Sequence, residues 1–161
     1  MVKIRSIEKR DWDKIFKIQQ DAYTEIKPES KAVLESKNRI SPKTCMVCVD
    51  EKGDILGCCL SHPYNKNKIP PLHKELRDSI SSDNLFIHDL AVSSVAKMQG
   101  IGTSLVETLL VKAKEYGFKT ITLVAVQGAD KFWRKFGFLE VHEVKPYSSY
   151  GEDIFFMRLE L

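Results

Sequence analysis

Apolar and polar positions follow two different periods along this chain, and their order predicts a mixture of strands and helices. Residues 2–7 alternate one by one, which predicts a short first strand. Residues 8–26 carry apolar side chains mainly at steps of three and four, which predicts an amphipathic helix that Pro28 ends. The same proline can open a second helix that runs to about Asn38, because proline is favoured in the first turn of a helix.

The middle of the chain is predicted to contain a hairpin, an insertion and a buried strand. Two apolar runs flank a turn at Gly53 and predict a pair of strands. Residues 62–84 are rich in proline and charge, so we expect a long irregular insertion there, with one or two helical turns near Leu72–Ile80. The apolar run from Asn84 to Val92 predicts a buried strand.

Helices and strands alternate in the second half of the chain. The pattern predicts a helix over 103–116, a strand over 118–126, a short helix over 128–136, and strands over 138–144 and 152–160. Helices placed between strands favour an α/β (α+β) class with a mixed sheet and helices on its faces. The whole range 1–161 is expected to form a single domain, because this length suits one hydrophobic core.

Composition and charge exclude several classes of function. Apolar residues make up 43% of the chain and the formal net charge is +3, which is too weak to indicate a nucleic-acid partner. No apolar run approaches the length of a membrane helix or of a signal-peptide core, so we expect a cytoplasmic protein with no membrane partner. Cys45 and Cys48 form one C-x-x-C within an apolar run, and a single such pair indicates buried small hydrophobes rather than a metal site.

The most informative segment is a glycine turn between a strand and a helix. Lys97-Met98-Gln99 precedes Gly100-Ile101-Gly102, after which the helix begins. Glycine lets the backbone turn its amides toward a ligand, and the start of a helix adds free N–H groups, so the segment is suited to a phosphate or pyrophosphate. A dinucleotide-binding turn would need a third glycine where Leu105 stands, and a plain tight turn is the structural alternative.

Two motifs in this order resemble the GCN5-related N-acetyltransferase (GNAT) family. The first is the glycine turn just described, and the second is the segment Ala129-Asp130-Lys131-Phe132-Trp133-Arg134-Lys135-Phe136-Gly137-Phe138. The resemblance implies a mostly antiparallel central sheet of six to seven strands and acetyl-CoA as co-substrate, with no metal. It also implies a set of cofactor-binding residues along the fourth strand, the glycine turn and the second motif. These are Leu90, Ala91, Val92, Lys97, Met98, Gln99, Gly100, Ile101, Gly102, Thr103, Ser104, Gln127, Phe132 and Trp133.

The catalytic groups are less well defined by the resemblance. Family members often carry a tyrosine general acid where this chain has Trp133, and an indole N–H does not deliver a proton at neutral pH. Tyr147 and Tyr150, on a predicted loop beside the pocket, are the alternative acids. His88 is the predicted base, with a suitable ordinary pKa, whereas Asp89 should face the other way unless the strand bulges.

The predicted function is acetyl transfer from acetyl-CoA to a primary amine of a small molecule or a protein. The alternatives are a non-catalytic acyl-CoA sensor and a different anion binder on the same turn. The sequence does not name the acceptor, and it leaves the oligomeric state open, with a homodimer among the possibilities.

Overall fold

Seven strands in the described part of the chain form a single mixed sheet. The computed structural model describes residues 1–146, 150–151 and 153–161. The strands are β1 (Lys3–Ser6), β2 (Met46–Val49), β3 (Ile55–Pro63), β4 (Asn84–Val92), β5 (Thr120–Ala125), β6 (Leu139–Glu140) and β7 (Phe155–Glu160), in the sheet order β1-β2-β3-β4-β5-β7-β6. The helices are α1 (Trp12–Ala22), α2 (Lys31–Ile40), α3 (Ile101–Glu115) and α4 (Asp130–Arg134).

Only one pair of neighbouring strands is parallel within the described residues, and these two strands separate halfway along their length. β4 and β5 run parallel and pair from Asn84–Thr120 as far as Ile87–Leu123, whereas the other neighbours are antiparallel. The second half of β4 therefore has β3 on one side and no strand on the other. The predicted single domain with a mostly antiparallel mixed sheet is confirmed.

Each face of the sheet is covered by helices, as the alternation of apolar residues predicted. Met46 and Cys48 pack on the α3 side, where Leu105 and Leu109 are fully buried. Their neighbour Val47 packs on the opposite side, beneath α1 and α2. Successive side chains of a strand point to opposite faces, so a strand that is buried on both faces carries a continuous apolar run.

The first predicted helix is shorter than its apolar pattern suggested. A 3-10 turn covers Lys9–Asp11, and α1 then ends at Ala22 rather than at residue 26. The reason is a tertiary contact, because the side-chain oxygen of Gln127 accepts hydrogen bonds from the backbone amides of Thr24 and Glu25. These amides are therefore not available to continue the helix. α2 begins at Lys31 instead of Pro28, where the Ser30 hydroxyl caps it.

Several other predicted boundaries were wrong, and α4 and β5 are both shorter than the predicted ranges 128–136 and 118–126. α3 begins at Ile101, two residues earlier than expected, because Gly100 adopts φ 74° and serves as its N-cap. The predicted strand over 138–144 contracts to Leu139–Glu140, and the last strand begins at Phe155.

The insertion over 62–84 contains no helix, contrary to the turns expected near Leu72–Ile80. Its base is closed by backbone and side-chain bonds between Tyr64 and Asn84. Its middle lies on α2, where the Leu76 amide donates to the Ser36 hydroxyl. The insertion is therefore an ordered cover over one end of α2.

The four cysteines have a packing role, and the described residues contain neither a cluster of metal ligands nor a membrane-spanning helix. All four cysteine thiols are free and buried, and burial raises the pKa of Cys45 to about 12, which suits their packing role. Within the described ranges, no group of three or more His, Cys, Asp or Glu side chains could hold a metal ion. No helix in this part of the chain combines the length and the apolar character that crossing a membrane requires.

Candidate active site

A cleft opens where β4 and β5 part. Its volume is about 320 Å³, and its walls come from β4, β5, the start of α3 and α4. Many of the predicted cofactor-binding residues line it, namely Leu90, Ala91, Val92, Lys97, Gly102, Gln127, Phe132 and Trp133. The predicted catalytic residue His88 lines it as well. Eight of the fourteen predicted cofactor-binding residues thus line one cavity, and Met98, Gln99, Gly100, Ile101, Thr103 and Ser104 are not among its lining residues.

The open edge of β4 presents backbone hydrogen-bonding groups to this cleft. The Leu90 carbonyl accepts a hydrogen bond of 3.1 Å from the Tyr23 hydroxyl. The Leu90 amide donates a hydrogen bond of 3.4 Å to the oxygen of that hydroxyl. Because alternate residues of a strand address the same edge, Val92 presents its own N–H and C=O groups on this side. The edge can thus pair with an extended, amide-bearing ligand as it would with another strand.

The N-terminus of α3 adds a second set of backbone donors. The first bond of the helix runs from the Ser104 amide to the Gly100 carbonyl, and none of the described side chains caps the helix. The amides of Ile101, Gly102 and Thr103 therefore precede the helical ladder and are available to an anion. A Cβ on Gly102 would lie 3.5 Å from the Phe132 ring, so glycine keeps the approach to these amides open.

Two further predicted cofactor residues have packing or bonding roles. Trp133 lies in the core beneath α4 with its ring 5.4 Å from that of Phe138, and it is only 6% exposed. The Gln127 amide is fully engaged with the loop after α1, since its nitrogen also donates to the Ala22 carbonyl. Both residues line the cleft, but the Gln127 side chain primarily holds a loop in place.

The predicted base His88 and its neighbour Asp89 are brought to one side by a β-bulge. The register of β3 and β4 shifts here, because Leu60 pairs with Asp89 and Ser61 pairs with Ile87, which leaves His88 unpaired. A bulge changes the direction of the side chains that follow it. Asp89 therefore lies beside His88 and lines the same cavities, which the strict alternation of a regular strand had argued against.

Glu29 and His88 form a buried hydrogen-bonded pair that no pattern in the sequence indicates. The Nε2 of His88 lies 2.5 Å from Oε1 of Glu29, and the other Glu29 oxygen accepts from the His73 amide. Burial would raise the pKa of Glu29, but the charge and hydrogen bond of His88 outweigh burial and hold it at about 2. An ionised carboxylate only accepts hydrogen bonds, so Nε2 of His88 carries the proton that it shares with Glu29.

The Asp89 carboxyl has no cationic partner within hydrogen-bonding distance in the described structure. Its Oδ2 accepts a long bond of 3.4 Å from Gln19, and its Oδ1 has no hydrogen-bond partner. Burial raises the pKa of Asp89 to about 7, and the hydrogen bonds from Tyr23 and Gln19 only partly offset that rise. A carboxyl that titrates near neutrality in a cleft is a common feature of functional sites.

The two predicted tyrosine acids lie in different situations. Tyr147 lies outside the described residues. Tyr150 is buried and donates a 2.6 Å hydrogen bond to the Pro70 carbonyl of the insertion. Its ring lines a smaller cavity next to the cleft, together with His88 and Asp89.

The remaining members of this site come from segments that the sequence treated as ordinary helix or loop. Gln19 and Tyr23 belonged to the apolar stripe of the first helix, and Glu29 to the start of the second. None of them lies in a motif, and Glu29 is 59 positions from its partner His88. The only available signal was a polar glutamine within an otherwise apolar helix face.

Comparison with known proteins identifies the family. Residues 12–138 match the family model described as "Acetyltransferase (GNAT) family". No curated protein matches the chain significantly. Ard1 from Thermoplasma volcanium has a similar structure, with a TM-score of 0.77 and 18% identity over 99% of this chain and 97% of that one. The ribosomal-protein-S18-alanine N-acetyltransferase from Escherichia coli gives a TM-score of 0.71 and 18% identity over 99% and 94%. Rv2747 from Mycobacterium tuberculosis, whose structure is in complex with CoA and NLQ, gives 0.74 and 16% over 99% of each chain. The chain belongs to the GNAT acetyltransferase family.

Proposed function

We propose that this protein transfers the acetyl group of acetyl-CoA to a primary amine by direct attack within a ternary complex. One observation carries the proposal, namely that the unpaired edge of β4 leads into the uncapped N-terminus of α3 along a single cleft. That arrangement offers strand-like pairing for an amide-bearing arm and converging N–H groups for a pyrophosphate. Membership of the family and a neighbour bound to CoA support the same donor.

The donor is held mainly by backbone groups. Val92 pairs with the pantetheine arm, and Leu90 pairs with it once the arm displaces the Tyr23 hydroxyl. The amides at the start of α3 bind the pyrophosphate, with Met98, Gln99, Thr103 and Ser104 around them. Lys97 adds a positive charge at the cleft. Phe132 packs beside the arm. Since the main contacts are made by N–H and C=O groups, few side chains in this half need a particular identity.

His88 serves as the proton acceptor in this proposal. Glu29 fixes the ring through Nε2, so that Nδ1 receives a proton from the acceptor ammonium and releases a neutral amine. The amine nitrogen then forms a bond to the thioester carbon, and a backbone amide of β4 stabilises the oxyanion. The C–S bond breaks, CoA leaves as a thiolate that takes up a proton, and the new amide loses its extra proton.

The CoA thiolate needs a proton donor other than His88. Trp133 is a donor without an acidic proton, so a tyrosine would have to act, or the thiolate would leave unprotonated. The Tyr150 proton already binds the Pro70 carbonyl, so its use would require that bond to break. Tyr147 stays a prediction.

A paired glycine substitution tests the donor site. Gly100→Asp places a carboxylate at the N-cap of α3. The carboxylate would accept hydrogen bonds from the same backbone N–H groups that are proposed to bind the pyrophosphate. Gly53→Asp is the matched control, because Gly53 also has a positive φ and open surroundings but lies in the hairpin after β2. We expect acetyl-CoA affinity, measured by calorimetry, to fall at least tenfold in the first variant only. Unchanged affinity in a folded Gly100→Asp protein would contradict this donor site.

Turnover separates the enzyme from the acyl-CoA sensor. A set of primary amines is incubated with acetyl-CoA, and free thiol and acetylated product are measured together. We expect both to appear in equal amounts, with initial-velocity lines that intersect as a ternary complex requires. Binding of acetyl-CoA without thiol release for any amine would favour the sensor.

A further inference from the structure

One side-chain hydroxyl group lies in the described wall of the cleft, and it belongs to a residue outside both sequence motifs. Tyr23 directly follows α1 and lines the cleft together with Trp133, which stands where family members often carry a tyrosine. Among the described residues that line the cleft, Tyr23 alone carries a hydroxyl. Tyr150 lines the smaller cavity instead. Tyr23 is therefore the described tyrosine that faces a ligand in the cleft.

The Tyr23 hydroxyl lies at the end of the cleft where the thioester is expected. A Cβ on Gly102 would lie 3.7 Å from the Val92 side chain, so Val92 adjoins the start of α3. Along β4, Leu90 comes between Val92 and the proposed base His88. An arm that runs from the start of α3 toward His88 therefore brings its thioester past Leu90. The hydroxyl bonds both backbone groups of Leu90, so it lies beside that part of the path.

Binding of the arm releases the Tyr23 proton from its present acceptor. The hydroxyl donates its hydrogen to the Leu90 carbonyl at 3.1 Å. An arm that pairs with Leu90 supplies an N–H group to this carbonyl, so the hydroxyl must find another acceptor. The sulfur that develops negative charge as the thioester breaks is such an acceptor within the same cleft.

Asp89 adjoins the same hydroxyl and can replace its proton. The Asp89 carboxyl is 3% exposed and interacts with the Tyr23 hydroxyl. Burial and the neighbouring Asp89 charge raise the pKa of Tyr23 well above its usual value of 10, so Tyr23 alone is a weaker acid than a thiol, whose ordinary pKa is ~8.5. Burial raises the pKa of Asp89 to about 7, so a thiolate binds a proton more tightly than the Asp89 carboxylate does. A transfer that draws on the Asp89 proton is therefore favourable.

We propose that Tyr23 donates a proton to the departing CoA thiolate and that the Asp89 carboxyl replaces this proton on the tyrosine oxygen. The inference rests on the proposed acetyl transfer and supplies the acid that Trp133 cannot provide. As the C–S bond breaks, its electron pair stays on sulfur, and the Tyr23 hydrogen forms the S–H bond of CoA. The extra proton of the new amide restores the Asp89 carboxyl. His88 holds the proton taken from the ammonium and releases it to solvent, which balances the turnover.

A donor with a less basic leaving group tests the acid directly. The selenoester analogue of acetyl-CoA releases a selenolate, which is a weaker base than a thiolate and leaves without a proton near neutral pH. Single-turnover rates are measured for both donors with the fastest acceptor among the primary amines and hydroxylamine. We expect Tyr23→Phe to slow the thioester at least about 100-fold, as loss of a general acid does, and the selenoester less than about tenfold. Equal slowing of both donors would indicate a structural defect and overturn the proposal.

Donor affinity separates catalysis from binding. Tyr23→Phe has no hydroxyl for the arm to displace from Leu90, so we expect calorimetry to show acetyl-CoA affinity equal to or tighter than that of the natural protein. Affinity weakened more than about tenfold would make Tyr23 a donor-binding residue and overturn the proposal. Tyr116→Phe is the matched control, because it removes a hydroxyl from a 44% exposed residue at the end of α3. It should leave both rates and the affinity unchanged.

Asp89→Asn tests the second proton transfer. An asparagine amide has no acidic proton to pass to the tyrosine oxygen, so this variant should also slow the thioester more than the selenoester. An unchanged ratio of the two rates in Asp89→Asn would overturn the relay.

The same measurements distinguish this inference from the proposed function. If the natural protein releases thiol and Tyr23→Phe releases it equally fast, acetyl transfer stands and the role of Tyr23 is wrong. A donor-selective loss in Tyr147→Phe or Tyr150→Phe instead would assign the acid to the loop before β7 and overturn the proposal. If no acceptor gives thiol release with the natural protein, acetyl transfer is wrong and this inference is wrong with it.

Discussion

Removing the Asp89 charge should change the pH dependence of stability in a defined direction. The carboxyl has a pKa of about 7 in the folded protein, against an ordinary value of 3.8, because burial opposes its ionisation. Its folded pKa is therefore raised above the unfolded one. Between these values the folded state binds a proton that the unfolded state does not, so the free energy of unfolding falls as pH rises through this window.

The size of the effect follows from the width of the window. One pKa unit corresponds to ~1.4 kcal/mol, so between pH 5 and pH 7 the ionisation of Asp89 costs the folded state about 2–3 kcal/mol. Above pH 7 the cost is fully present, and below pH 3.8 it is absent. Asp89→Asn removes this cost, so the variant should gain stability relative to the natural protein as pH rises.

The groups that face Asp89 also titrate, and the comparison must cancel them. They are Tyr23 just after α1, Glu29 from the following loop, and Cys58 and Cys59 from β3. His88 adjoins it on β4. Urea denaturation of both proteins at pH 5 and pH 8 gives a double difference in which their contributions largely cancel. We expect this difference to be about 2–3 kcal/mol in favour of the variant at pH 8. A double difference near zero would show that Asp89 ionises normally and would refute the reasoning.

Two other substitutions test the supports of the site. Glu29→Gln removes a carboxylate whose pKa is held at about 2 against the usual 4.5, so stability above pH 4.5 should fall by up to about 3 kcal/mol, as denaturation at neutral pH would show. In the same variant kcat should fall at least tenfold with an unchanged KM for acetyl-CoA, and an unchanged kcat would contradict the role of Glu29 in orienting His88. Gln127→Ala breaks the bonds to Ala22, Thr24 and Glu25, so we expect a loss of about 1–3 kcal/mol by thermal unfolding and weaker amine binding; an unchanged melting temperature would contradict its role as a tether.

The proposed donor half of the site could be located from sequence because it is made of backbone groups. A strand followed by Gly100 and Gly102 at the start of a helix determines where free N–H groups lie, whatever the neighbouring side chains are. Element order and apolar periodicity then sufficed for the sheet and its two helical layers. The boundaries that failed, such as the end of α1, were decided by a single distant side chain, Gln127, and no local pattern contains that contact.

The acceptor half could not be predicted, for two physical reasons. A bulge shifts the register by one residue, so it reverses the direction that alternation assigns to Asp89, and the sequence of β4 carries no turn or glycine that would reveal it. The pairing of Glu29 with His88 depends on how the loop after α1 folds back over the sheet. Such long-range contacts are set by the packing of whole elements and not by spacing along the chain.

Backbone groups form most of the proposed donor site, whereas side chains line the smaller cavity beside it. In the proposed function, backbone groups at the β4 edge and the start of α3 hold the donor, so changes of side chain there should alter donor choice little. The smaller cavity beside the cleft is lined instead by side chains of a helix, a loop and a bulged strand, among them Gln19, Glu29, His88 and Asp89. Gln19 and Glu29 line only the smaller cavity, so a substitution at either changes the hydrogen-bonding pattern there without altering the lining of the cleft, whereas His88 and Asp89 line both spaces. Acceptor preference can therefore change by single substitutions while the fold and the donor site stay the same.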